Sequence, residues 1–384
     1  MNLADMLTYA DIGQLSNIAN HYDCDAKRNS KHELIQSILS KLGRREFFEE
    51  QVSSLSPSDL RFLNNLVFDT RTGYSLEELT AAIRHTADLE EKEDKASSNK
   101  KAAAAKTESP REAVARYRRS GWLFNGFTHS TKYLFQVPSD LKERFRDVLR
   151  ERLHQNLQRL PHDPEAYRDE QGLAAEDLKL ILKYVGGHDI ELNQEGFMYR
   201  RNQQQLMSTL HISEPLITKG AWRFGYGRSC IEYPDRFALL YDYAYAKKWI
   251  RENHARLILS ETGASFLEEG NQVSVIQIFR FWLRLYKGAI PNISSLVYWI
   301  SQCARDWVTA ASLYESLGWL IRPFYYDSPQ NILEQRIIRM LMHLGMLRIG
   351  ESQSMGTSYK MTALGLKAAE AGIHISDSND DLIL

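Results

Sequence analysis

Three stretches of the sequence repeat one short pattern, and that repeat limits the folds open to the chain more than any other feature. Leu192-Asn193-Gln-Glu-Gly196 follows HDIE, Leu259-Ser260-Glu-Thr-Gly263 follows ARLI, and Met361-Thr362-Ala-Leu-Gly365 follows TSYK. Each reads as an apolar residue, then Asn, Ser or Thr, then two residues, then Gly. The pattern predicts a strand running directly into a helix. Asn193, Ser260 and Thr362 are then helix N-caps, whose side-chain oxygens accept from the first free backbone N–H groups. Glycine at the third helical position avoids crowding a neighbouring strand.

The segments around the repeats extend the pattern. Ahead of the last copy, Ile337, Met340, Leu341 and Leu344 share one helical face, and GMLRIGESQSMGTSYKMT reads as a strand, a Gly/Ser-rich tip and a second strand. TALGLKAAEAG then closes the unit as a helix. A helix, a hairpin and a capped helix in this order are common in winged-helix proteins. A second module begins with AAEDLKLILKYVGG, where Leu178, Ile181, Leu182 and Val185 line one face, and continues through a helix over 196–210. A third begins at Pro234-Asp235, with Phe237, Leu240, Tyr241, Ala244 and Trp249 spaced as a core stripe rather than a stacking platform. Between them lies GAWRFGYGRSCIEYP, with Trp222, Phe224 and Tyr226.

The N-terminal half carries the same elements in another guise. Ile12, Leu15, Ile18 and Ala19 mark one helix, HYDCDAKRN is a polar loop, and Ser30 with Glu33 forms a capping box for a second helix that Gly43 stops. Ser56-Pro57 and then Ser75 with Glu78 start two further helices. Asp88 to Ser109 is a charged Ala/Ser/Lys stretch with almost no bulky apolar residue, and is predicted to be a flexible linker or inserted loop, with a helical continuation through AAAAK as the alternative. PREAVARYRRS follows as a helix, and GWLFNGFTHSTKYLFQV as a β-hairpin around NGFTHST. Three helices and a hairpin are again the winged-helix order, with the linker inserted before the third helix.

Charge narrows the function. Lys plus Arg is 48, Asp plus Glu is 49, and the formal net charge is -1, which excludes a uniformly basic coat but not a confined basic face. The three Cys lie far apart with no CxxC pair, which argues against a disulfide framework or a cysteine zinc site. The N-terminal residues lack a secretory signal, and unbroken apolar runs such as Leu296 to Ile300 fall far short of a membrane span, so no membrane association and a cytoplasmic or nucleoid-associated location are expected. No phosphate loop, HExxH or GxSxG is present, and Gly225-Tyr-Gly227 is a lone GxG. The expectation is a non-enzyme without cofactor or metal.

From Ser109 to Ser139 the chain carries Arg111, Arg116, Arg118, Arg119 and Lys132 against Glu112 alone. Four of these cations fall on the predicted third helix and one in the hairpin turn, where a winged helix meets the DNA groove and the phosphate backbone. Smaller clusters are Lys27, Arg28 and Lys31 in the N-terminal helical pair, Arg200 and Arg201 after the first repeat, and Arg348 and Lys360 in the last hairpin. The acidic run SDSNDDLIL ends the sequence.

Two resemblances bear on these residues. LSNIANHYDC followed by SKHELIQSIL resembles the SAP-type and Rho N-terminal-type modules, which mostly bind DNA or RNA. GWLFN…KYLFQVPSDLKERF and EDLKLILKYVGGHDIELNQEGFMYRRNQQQL are similar to helicase-associated winged-helix proteins related to the N-terminal part of XPB-type helicases. Asn and Ser replace the usual Thr of the first two caps, and no motor domain follows. The resemblance implies a partner of a helicase or other DNA-processing protein, not a motor.

The expected fold is thus mainly α with small β-hairpin wings. Its parts are a SAP/Rho-N-like module at 1–48, winged helices at 49–160 (with a disordered insertion at 88–109), 161–230, 231–325 and 326–374, and an acidic tail at 375–384. The expected function is binding of double-stranded DNA in transcription, repair or support of a helicase. The alternatives are a protein–protein adaptor and a metal-dependent nuclease.

Overall fold

The computed structural model describes every residue except 26–29, 98–107, 219–222, 224, 254 and 373–384, and for 87–97 the backbone alone. The chain is mainly helical with small antiparallel sheets, in two units, Met1–Gln155 and Asn156–Leu384. Among the described residues no helix is long and apolar enough to cross a membrane.

The first unit opens with four short helices, α1 (Leu3–Tyr9), α2 (Ile12–His21), α3 (Lys31–Gly43) and α4 (Arg45–Ser53). Asp11 caps α2 and Ser30 caps α3, and Leu15, Ile18, Leu34, Ile38 and Leu42 turn their apolar faces into one core. Each such side chain stabilises by about 1.5–3 kcal/mol on burial. Then come α5 (Pro57–Phe68), α6 (Leu76–Ser97), α7 (Pro110–Arg119), β1 (Phe124–Asn125), β2 (Phe135–Gln136) and α8 (Ser139–His154). Ser75 and Glu78 exchange backbone hydrogen bonds of 2.7 and 3.1 Å at the start of α6. The segment 88–97, predicted as linker, instead continues α6. A helix already nucleated at a capped turn extends through a stretch rich in Ala, Glu and Lys, which are good helix formers. The rest of that stretch up to 107, and the acidic tail, lie outside the described residues.

The second unit runs β3 (Ala166–Arg168), α9 (Leu173–Gly187), β4 (Ile190–Glu191), α10 (Arg200–Thr209), α11 (Asp235–Ala246), β5 (Ile250–Asn253), β6 (Arg256–Leu259), α12 (Glu261–Glu268), α13 (Val275–Tyr286) and α14 (Ile293–Cys303). It continues with β7 (Val308–Thr309), α15 (Ala310–Leu317), α16 (Pro329–Asn331), a π-helical stretch Ile332–Ile338, α17 (Arg339–His343), β8 (Leu347–Ser352), β9 (Gly356–Met361) and α18 (Ala363–Gly372). The sheets are ordered β4-β6-β5 and β3-β8-β9-β7. The first sheet joins segments that the sequence reading assigned to separate modules at 161–230 and 231–325. Accordingly α11 is the third helix of the module that α9 begins, not the start of a new one. Its aromatic stripe, Phe237 and Tyr241 included, is core as expected.

One arrangement recurs three times. It is helix, short strand, helix, helix, strand, strand, and the first strand always pairs with the last. In the second unit it comprises α9-β4-α10-α11-β5-β6 and α14-β7-α15-α16/α17-β8-β9. In the first unit it is α5-α6-α7-β1-β2, with Tyr74 as the first strand, bonded to Phe135 through N–H···O contacts of 2.9 and 2.7 Å. The third helix ends alike each time. Gly121, Lys248 and Gly345 take φ of 70°, 58° and 69°. The following N–H, of Trp122, Trp249 or Met346, returns to Tyr117 O, Ala244 O or Leu341 O at 2.9, 3.0 and 2.8 Å.

The last two repeat motifs in the sequence match each other in detail. Ser260 Oγ accepts from Gly263 N and Thr362 Oγ1 from Gly365 N, both at 3.0 Å. The backbone N–H of Ser260 bonds Trp249 O and that of Thr362 bonds Met346 O, both at 2.9 Å. A Cβ on Gly263 or Gly365 would press those same carbonyl oxygens closer than 3.0 Å, so the glycine is required by the approach of the hairpin's first strand. The first motif departs from the predicted role. Asn193 Oδ1 accepts from Glu195 N at 3.0 Å and Phe197 N at 2.9 Å, closing a turn in which Gly196 has φ +85°. Helix α10 begins only at Arg200, without a side-chain cap. Asn competes for nearby backbone donors in turns as readily as at caps, so the two uses share one sequence pattern.

A chain of buried charges runs from the first repeat of the second unit through Glu170, 3.6 Å from Arg236, to the last repeat. Arg236 of α11 pairs with Asp177 of α9 at 2.7 Å, and Glu170 accepts from His343 Nδ1 of α17 at 2.8 Å. All four side chains are buried. Burial raises the Glu170 carboxyl, but the His343 hydrogen bond and the nearby Arg168 and Arg236 outweigh it and hold it below its usual range.

Candidate nucleic-acid interface

Helix α7 is fixed by Ser109 and Glu112, whose backbone and side chains bond reciprocally, and by Pro110 in its first turn. Ala113, Val114 and Tyr117 form its buried face. Spacings of four, seven and eight place Arg111, Ala115, Arg118 and Arg119 along one other stripe. Arg111 and Arg119 are exposed and Arg118 is half-buried, its guanidinium 5.8 Å from the Phe135 ring centre.

Arg116 lies off that stripe and is already engaged. It pairs with Asp59 at 2.8 Å and Glu108 at 3.1 Å. Tyr117 Oη donates to the same Asp59 carboxylate. Burial raises the Asp59 carboxyl, but the bonds from Tyr117 and Arg116 overcome this and leave it below its usual value. Arg116 therefore serves packing between α5 and α7.

Helix α2 lies alongside α7. Tyr22 Oη donates to Ser120 O at 2.7 Å and Gln14 Nε2 to Leu123 O at 3.3 Å. Asp11, Gly13, Gln14 and Asn17 of this side share an open groove with Ala115, Arg118 and Arg119. The predicted third helix thus offers a lateral basic stripe rather than a bare cylinder.

The loop between β1 and β2 supplies the remaining cation. Lys132 is exposed, with its Nζ 4.7 Å from the Tyr133 ring centre, and Tyr133 is 76% exposed. Phe127 stacks on Tyr9 of α1 with centroids 4.6 Å apart and planes 17° apart. Lys31 at the start of α3 is exposed and donates to Thr8 O at 2.8 Å, next to Tyr9. Tyr9, Phe127 and Tyr133 were not among the residues picked from the sequence. Phe127 and Tyr133 carried a signal, as bulky rings in or beside the polar turn NGFTHST, but Tyr9 reaches them only through the fold.

Of the other predicted cations, Lys27 and Arg28 lie outside the described residues and four belong to the second unit. Arg200 and Arg201 are exposed at the start of α10, and Arg200 donates to Ile217 O at 3.2 Å. Arg348 and Lys360 are cross-strand partners. Arg348 is bound to Asp169 at 2.7 Å and lies 5.5 Å from the Tyr167 ring centre, and Lys360 lies 6.0 Å from that of Trp307. They cover aromatic surface of their own sheet.

Among the described residues no group of three or more His, Cys, Asp or Glu side chains is placed to hold a metal ion. No protein family, curated protein or solved structure matches the chain.

Proposed function

We propose that the chain is a DNA-binding protein built from three winged-helix modules, and that its first unit makes the DNA contact. One observation carries this reading. Arg111, Arg118 and Arg119 line one stripe of α7, Lys132 projects from the following hairpin loop, and no acidic residue occurs between Glu112 and Asp140. One basic stripe of the third helix and a hairpin loop without carboxylates match the way winged helices meet a polyanion. The similarity to helicase-associated proteins suggests a helper of a DNA-processing enzyme.

The test is a salt titration with a labelled DNA duplex. Log affinity should fall with log salt at a slope near −0.9 per neutralised phosphate, or about −3 for three to four contacts. The Arg111→Ala/Arg119→Ala/Lys132→Ala variant should bind weakly and lose most of that slope. A variant with unchanged affinity and slope would refute this assignment of the contact.

A second reading, a protein–protein adaptor, is favoured by the packing of α2 along α7, which narrows access to the third helix. It predicts a stable protein partner for purified chain that ignores DNA at low salt.

A further inference from the structure

We infer that the first unit takes unpaired nucleobases, stacked on the aromatic rings of the β1–β2 loop, so that its preferred ligand is single-stranded rather than duplex nucleic acid. This rests on the DNA-binding reading above and names the substrate class of the same site. The exposed rings are Tyr9 at 62%, Phe127 at 47% and Tyr133 at 76%. Large apolar rings held open to water have no core role, and here three come from one loop and the helix beside it.

The loop is built to hold them still. Thr131 N donates to Thr128 O at 3.1 Å, and Thr128 Oγ1 bonds both Thr131 Oγ1 at 2.6 Å and Ser130 Oγ at 3.1 Å. Asn125 Nδ2 donates to Lys132 O at 3.1 Å across the loop. A Cβ on Gly126 would collide with Thr131, so the chain packs against itself at the loop's root. A loop backbone fixed in this way loses little entropy when a base stacks on the rings it carries.

The chemistry around the rings selects the ligand. The loop 126–134 carries hydroxyls, His129 and Lys132, and no carboxylate. Lys31 is held on the carbonyl of Thr8, the residue before Tyr9, and the Arg118 guanidinium lies 5.8 Å from the ring centre of Phe135 at the loop's root. The Tyr9–Phe127 stack and the Lys132–Tyr133 pair each leave much ring surface exposed, and exposed rings next to cations suit a strand whose phosphates and bases are both accessible. In a duplex the base faces are already stacked on each other, so these rings would have nothing to meet. A protein ligand would have to be strongly acidic, and is an outcome of the test.

The experiment measures anisotropy of fluorescein-labelled oligo(dT) and of a mixed-sequence duplex of equal length, titrated with the full chain at low salt. Oligo(dT) should bind about tenfold or more tightly than the duplex. Phe127→Ala/Tyr133→Ala should lower single-strand affinity by about tenfold or more, while Tyr133→Phe keeps it. Because the rings lie outside the core, the double variant should still unfold cooperatively, with its melting temperature lowered only by loss of the Tyr9–Phe127 stack, which excludes misfolding as the cause. Equal or better binding of duplex, or a single-strand preference that survives Phe127→Ala/Tyr133→Ala, overturns the inference and leaves the DNA-binding reading intact. Binding of neither DNA, whatever acidic protein is captured, overturns both.

Discussion

Replacing Gly365 with alanine tests the junction between hairpin and closing helix in the last repeat. In a helix this change ordinarily stabilises by about 0.5–1 kcal/mol. Here the new methyl group would press Met346 O and C and the Met361 side chain, all closer than 3.0 Å. Two of those atoms are backbone, and Met346 O is held by Thr362 N at 2.9 Å. Relief requires moving the start of β8 from α18. That puts at risk the Thr362 cap, which accepts from Gly365 N and donates to Gly345 O at 2.9 Å.

Overpacking costs about 1–3 kcal/mol, and a lost cap about 1 kcal/mol more. Net of the helix gain, the variant should lose about 1–3.5 kcal/mol, or about 2–14 °C in melting temperature for a unit of this size. Gly263→Ala should behave alike, because Trp249 O stands where Met346 O does. Gly43→Ala is the control, since no atom lies within 4 Å of the added carbon. Urea unfolding followed by circular dichroism gives the comparison. If Gly365→Ala is as stable as the parent, the account of why the motif ends in glycine is wrong.

Two further outcomes follow from the same geometry. Lys248 occupies the left-handed helix end that Gly121 and Gly345 fill in the other repeats, with φ 58°. Lys248→Gly should therefore stabilise by about 0.5–1 kcal/mol, the left-handed penalty less glycine's entropy cost, measured by urea unfolding. Asp59 has a carboxyl held below its unfolded value, so its stabilisation is complete above about pH 4, the unfolded range. It is lost as pH falls through the lower folded value. In thermal melts from pH 7 to 3, the gap between the parent and Asp59→Asn should close at the acid end.

What could be read from the sequence divides by range. The caps at Ser30, Ser56, Ser75, Ser260 and Thr362 depend on residues three positions apart, and each is found; the cap at Ser109 has the same spacing and was missed. Asn193 misled because a turn and a cap use the same side-chain acceptor at the same spacing. Pairing within the two hairpins was legible and is found, but pairing at long range was not. Ile190 meets Leu257 and Tyr74 meets Phe135 across dozens of residues, and two-residue strands leave no alternation to read. The threefold recurrence therefore emerges from pairing and helix ends, not from the Asn/Ser/Thr-x-x-Gly motif, which only two of its members contain.

The site divides the same way. Arg111, Arg118, Arg119 and Lys132 stand out as a charge run, whereas the engagement of Arg116 depends on Asp59, far away in sequence. The Tyr9–Phe127 stack likewise joins residues that no local pattern connects.

The central claim is that DNA meets the first unit at α7 and the following hairpin loop. Hydrogen exchange of the full chain, with and without saturating DNA, tests it most directly. The account predicts new protection in 110–119 and 124–136, extending to the α1–α2 turn, and little change elsewhere. Bound DNA with protection confined to 156–372 would contradict it.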